Sequence, residues 1–105
     1  MVLWEMHDPA DAKSFADELC SCARIVPGML GFEVVTRAEG LAATADVCLI
    51  ASFTDAAALH AYEVHPQHVQ VSARLRALRR ARHVLDFAVD DGAARATLGP
   101  ADAWS

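Results

Sequence analysis

Val47-Cys48-Leu49-Ile50-Ala51-Ser52-Phe53 decides how this chain folds. A strand with one wet face shows polar residues at every second place. This run is apolar almost throughout, so it belongs inside a sheet and is covered on both faces. Thr54 follows as a cap for a helix over residues 55–64. Pro66 opens another helix over 66–78, with Val69, Val71, Leu75 and Leu78 available for packing. His83-Val84-Leu85-Asp86-Phe87-Ala88-Val89 alternates and predicts a strand. Upstream lies a loop of small residues over 38–44, and before it the alternating Phe32-Glu33-Val34-Val35-Thr36-Arg37. Pro27-Gly28 ends the element that precedes it. That element is a helix started by Asp8-Pro9-Ala10-Asp11, with Ala12, Phe15, Ala16, Leu19, Cys20 and Ala23 on one face. Val2-Leu3-Trp4-Glu5-Met6 is a short first strand.

The order is therefore strand, helix, strand, strand, helix pair, strand. It predicts an α+β, ferredoxin-like fold: a four-stranded antiparallel sheet with helices on one face. The domain fills residues 1–90, and 91–105, rich in Ala and Gly, is expected to be a loose tail. The other sheet face has no cover of its own. The 47–53 strand is apolar on both sides, and Trp4 and Phe87 are expected to add to the open face. At 105 residues and 54% hydrophobic, the chain has more apolar surface than one small core hides. A homodimer that closes two sheets face to face, around an interior able to hold an apolar or aromatic small molecule, is the expected solution. Trp4 and Phe87 would line that interior.

The net charge of −5 argues against nucleic acid as a partner. No apolar run approaches the ~20 residues of a membrane span. Three cysteines, Cys20, Cys22 and Cys48, are an odd number and suggest reduced thiols in the cytoplasm. Positive charge is concentrated late, in Arg74, Arg76, Arg79, Arg80 and Arg82, with no acid between residues 66 and 83. On a helix this is an ordinary solvated face; a weak attraction for a carboxylate or phosphate is the sharper alternative.

Chemistry concentrates in Ala61-Tyr62-Glu63-Val64-His65-Pro66-Gln67-His68. His68 follows His65 by three positions, in the first turn after Pro66. A partly buried imidazole takes a proton from carbon or oxygen near pH 7. His68 is thus a candidate general base, set against the plainer role of bonding a backbone carbonyl. Tyr62 is a candidate hydrogen-bond donor to substrate, or an aromatic packing group. His65 precedes proline, which favours extended backbone and a junction role, with ligand contact as the alternative. Asp86 could orient His68. His60, His65 and His68 lack the helical pairing of zinc motifs, so neither a metal nor another cofactor is expected.

Three pieces resemble the stress-responsive α/β-barrel domain family, often written Dabb. They are Val2-Leu3-Trp4-Glu5-Met6-His7-Asp8; Ile25-Val26-Pro27-Gly28 with Phe32-Glu33; and Phe53-Thr54-Asp55 through Tyr62 and His65-Pro66-Gln67-His68 to Asp86-Phe87. The resemblance covers about residues 2–90 and implies a dimeric α+β barrel. A polyketide cyclase of the family uses the second histidine of the H-P-x-H segment as base, the place of His68, and has a tyrosine at the place of Tyr62. Its first-strand histidine falls just before Met1, and its other pocket tyrosine falls near Leu19. The resemblance implies a cofactor-independent lyase or cyclase acting on a small ketide-like or aromatic molecule. A non-catalytic stress-response or ligand-carrying dimer and a cofactor-free monooxygenase stand beside it.

Overall fold

The computed structural model describes residues 1–88. The tail expected over 91–105 lies outside the described residues. Four strands and three helices follow the expected order: β1 Val2–Met6, α1 Ala12–Cys20, β2 Met29–Thr36, β3 Val47–Phe53, α2 Ala56–Val64, α3 Pro66–Leu75 and β4 Arg79–Val84. The sheet is antiparallel in the order β2-β3-β1-β4. The helices pack on one face, so the chain is ferredoxin-like.

Cross-strand partners share a face of a sheet. Trp4 opposes Val47 and Arg82, Val2 opposes Leu49, and Phe32 opposes Ala51. These residues look toward the helices. Val2, Leu49, Ala51 and Phe53 are almost wholly buried there against Phe15 and Leu19 of α1 and Val71 and Leu75 of α3. Each large apolar side chain so buried contributes about 1.5–3 kcal/mol. On the reverse face Leu3, Glu5, Glu33, Val35, Cys48 and Ile50 have no helix over them. Val35 is 42% exposed, while Cys48 and Ile50 are half-buried by their neighbours. The continuous apolarity of β3 thus has two sources: a core face, and a second face left open within one chain.

Local chemistry sets the element ends. Asp8 caps a 3-10 turn at Pro9–Asp11, its Oδ1 accepting from Ala10 N at 3.0 Å, and this turn delays the start of α1. Asp55, rather than Thr54, caps α2: its Oδ1 accepts from Ala58 N at 2.8 Å. Gly28 has φ +86°, and its carbonyl accepts from Thr54 N at 2.8 Å. A Cβ there would lie 2.8 Å from Thr54 Oγ1 and 2.9 Å from the Ala58 methyl, so this turn requires glycine. The buried Asp46 joins β1 to β3: its Oδ2 accepts from Met6 N at 2.8 Å, its own N–H donates to Trp4 O at 2.8 Å, and Arg37 Nη1 lies 3.5 Å from Oδ1.

Three further expectations need correction. Strand β4 begins at Arg79, not His83, and α3 ends at Leu75, so Arg79, Arg80 and Arg82 belong to a strand rather than a helix face. The reason is visible in its burial: most of β4 stays wet, and it lacks the apolar alternation that marks a strand. Trp4 does not face the open side. It is 7% exposed and packs edge-on against Phe15, ring centroids 5.2 Å apart, under the helices. Phe87 lies beyond the end of β4 and packs partly buried against the core.

Candidate functional site

The break between α2 and α3 builds the site. His65 is extended (φ −63°, ψ 135°), as a residue before proline prefers, and ends one helix while capping the next. Its Nδ1 accepts from Gln67 N at 3.0 Å. The imidazole is therefore engaged with backbone, and His65 lies outside the lining of the cavity described below. The last carbonyls of a helix have no partner within it. At the end of α2, Tyr62 O accepts from His65 N at 3.2 Å, and Glu63 O lies 3.1 Å from His68 Nδ1.

That contact fixes the histidine. A carbonyl oxygen only accepts, so Nδ1 must carry the proton, and in the neutral ring Nε2 holds the lone pair. Nε2 looks toward Ser72 Oγ at 3.4 Å, one helical turn along α3. Burial holds His68 below the usual imidazole pKa, outweighing the bond to the Glu63 carbonyl and the Glu63 charge, which act the other way. The ring is thus neutral near pH 7, with its basic nitrogen unprotonated. Asp86 is not the partner that orients it; the end of α2 does that work.

Tyr62 packs against this ring, centroids 4.5 Å apart, and against Phe53 at 5.5 Å and Phe32 at 6.5 Å. It is fully buried, and its hydroxyl has no hydrogen-bond partner among the described residues. Burial drives its pKa well above the ordinary phenol range, so the group is a donor and not a phenolate.

Both rings line a partly open cavity of about 330 Å³ between the sheet and the helices. Val2, Trp4, Phe15, Leu19 and Leu49 give it an apolar floor; Glu63, Ser72, Arg76, Arg79 and Arg82 join His68 on its polar side. Its volume is at the lower end of small-molecule sites. The cavity lies within one chain, not between two apposed sheets, because Trp4 and Tyr62 sit on the helix-covered face. His68, Tyr62 and Trp4 are brought together; His65 and Phe87 are not part of the lining. Sequence reasoning misses Ser72, and it reads Arg76, Arg79 and Arg82 only as part of a basic cluster with a weak attraction for a carboxylate or phosphate, without placing them beside His68. Ser72 has a signal, its helical spacing to His68. The arginines have only their clustering as a signal, because residues 79–82 fall between the helix expected to 78 and the strand expected from 83, and they form the start of β4.

Known proteins give the fold its context. No curated protein matches the chain. A dimeric ferredoxin-like protein of unknown function from Thermobifida fusca YX is similar in structure, with a TM-score of 0.68, 18% identity, and 78% of this chain and 80% of that chain covered. A dimeric protein of unknown function and ferredoxin-like fold from Bacteroides fragilis NCTC 9343 gives 0.66 and 19%, covering 78% and 85%. At such identities the likeness concerns the fold. The model of the Stress responsive A/B Barrel Domain, Dabb, matches residues 1–89. The match takes in both strands that form the cavity floor and the whole Tyr62–His68 junction, and the chain belongs to the Dabb family.

Proposed function

We propose that this protein is a homodimeric, cofactor-independent lyase or cyclase in which His68 acts as general base on a small ketide-like or aromatic molecule. One observation carries the reading: the end of α2 holds the Nδ1 proton of His68, which leaves the Nε2 lone pair at the wall of a cavity also lined by Tyr62. In the reaction Nε2 removes a proton from a carbon next to a carbonyl. The C–H electron pair moves into the enolate, whose oxygen takes a hydrogen bond from the Tyr62 hydroxyl. The enolate carbon then bonds to a second carbonyl carbon of the same molecule, and the imidazolium returns its proton to the alkoxide that forms. Trp4 and Phe15 offer a surface to the apolar part of the substrate.

Homodimerisation rests on the open sheet face, where Val35 is 42% and Leu85 63% exposed, and on the dimers described for the two similar structures. The cytoplasmic reading rests on the three cysteines, all free thiols; among the described residues no helix is long and apolar enough to cross a membrane.

Deuterium uptake at the methyl group of acetophenone in deuterated water, followed by NMR, tests the base with a simple ketone in place of the natural substrate. The wild type accelerates exchange, and His68→Gln abolishes the acceleration while the circular dichroism spectrum is unchanged. A second reading is a non-catalytic carrier, favoured by the fact that His68 spends one nitrogen on backbone as a structural histidine does. Exchange no faster than in buffer, in wild type and His68→Gln alike, would favour that reading over the first.

A further inference from the structure

Arg79 and Arg82 lie three apart on β4, and on a regular strand that spacing sends side chains to opposite faces. Here both line the cavity. A β-bulge accounts for it. Arg79 opposes Met6 and Arg82 opposes Trp4, but Glu5 opposes Ala81, so Arg80 is an extra residue that resets the alternation. Arg80 itself turns to Glu5, Nη2 to Oε1 at 2.7 Å. Arg76, where α3 ends, supplies a third guanidinium to the same cavity.

These three differ from the arginines that are paired. Arg37, Arg74 and Arg80 each have a carboxylate, at 3.5, 3.0 and 2.7 Å. Among the described residues Arg76, Arg79 and Arg82 have no ion-pair partner, and Glu63 is the one carboxylate of the cavity lining. Arg79 is half-buried, and its burial and the nearness of Arg82 and Arg76 all work against its charge. Arg82 also acts on Asp86, so Arg76 and Arg79 are the freer pair. Arg76 and Arg82 are exposed and Arg79 is half-buried, so three like charges stand together at the open side of the cavity, where an oxyanion would relieve their repulsion.

We propose that the cavity binds a small molecule with an apolar body and a terminal oxyanion, carboxylate or phosphate, held by Arg76, Arg79 and Arg82 while the body rests on Trp4 and Phe15. The bulge at Arg80 is the device that delivers the guanidinium groups of Arg79 and Arg82 to one face. The inference rests on the reading of this cavity as a small-molecule site, and it names the class of molecule that site takes.

Calorimetric titration of the full chain with phenylbutyrate, phenylbutyl phosphate and phenylbutanol tests it. Both anions are expected to bind at least about tenfold more tightly than the alcohol. Arg79→Gln and Arg76→Gln each erode that preference and leave alcohol binding as it was, while Arg74→Gln, whose partner is Glu18, changes nothing. The ratio of the two anions tells a carboxylate site from a phosphate site. An alcohol that binds as well as the anions, a preference that survives both substitutions, or no binding of any probe at millimolar concentration overturns the proposal. Binding is read without turnover. An anion preference kept in His68→Gln, together with unchanged ketone exchange in that variant, would sink the general base and leave the anion site standing.

Discussion

Tyr62→Phe should make this protein more stable. The ring is fully buried and touches Phe32, Phe53 and His68, and phenylalanine preserves all of those contacts. What it removes is a hydroxyl with no partner among the described residues. A buried polar group left without a hydrogen bond costs about 1–3 kcal/mol. The large rise in the phenol's pKa has the same origin, since burial is its first cause. At the lower end of that range, a gain of about 1 kcal/mol is the expectation. For a domain of this size it raises Tm by about 4–8 °C. Urea and thermal unfolding at one fixed protein concentration measure it, because Tm of an associating protein depends on concentration. The same variant should lose ketone exchange, as the donor to the enolate is gone. A more stable, less active protein is the signature of a group kept for function at a cost in stability. A Tyr62→Phe protein that is less stable than wild type by about 0.5 kcal/mol would show that the hydroxyl is bonded, and would refute the reasoning.

His68 has a pKa below the unfolded value of 6.5, so between the two values the folded chain binds fewer protons than the unfolded one. Its contribution to stability is therefore full above pH 6.5 and is lost as pH falls through that window. Exchange activity falls over the same range, and His68→Gln flattens this part of the stability profile; an unchanged profile would count against a buried neutral ring. Gly28→Ala places a Cβ against Thr54 and Ala58 in a left-handed turn. It should cost about 2 kcal/mol or more, read as a lowered urea midpoint with unchanged slope.

The parts of the sequence that announce themselves are those whose periodicity faces the core. Strands β1 and β3 have the expected limits because Val2, Trp4, Met6 and Val47, Leu49, Ala51, Phe53 alternate into it. Helix α2 ends where expected because Pro66 forbids its continuation. Strand β4 is hidden by its chemistry: Arg79 and Arg82 face a polar cavity wall, so no apolar alternation marks them, and the bulge breaks the period besides. The side of the sheet to which Trp4 points is equally hidden. Alternation tells which residues share a face, but only the packing of α1 and α3 tells which face is covered. Tyr62 and His68 can be singled out because their chemistry is compressed into one helix junction. The role of the Glu63 carbonyl cannot, since every residue has one.

The hydrogen bond between His68 Nδ1 and the Glu63 carbonyl has a kinetic meaning as well as a structural one. Nδ1 carries a proton in the neutral ring and in the cation alike. The anchor is thus indifferent to what happens at the other nitrogen. A proton can arrive at Nε2 and leave again with no turn of the ring, no loss of the helix end and no reordering of its neighbours. Many bases must be held by one bond in one state and another bond in the next. This one can cycle on a fixed mount, with little reorganisation energy to supply at either step.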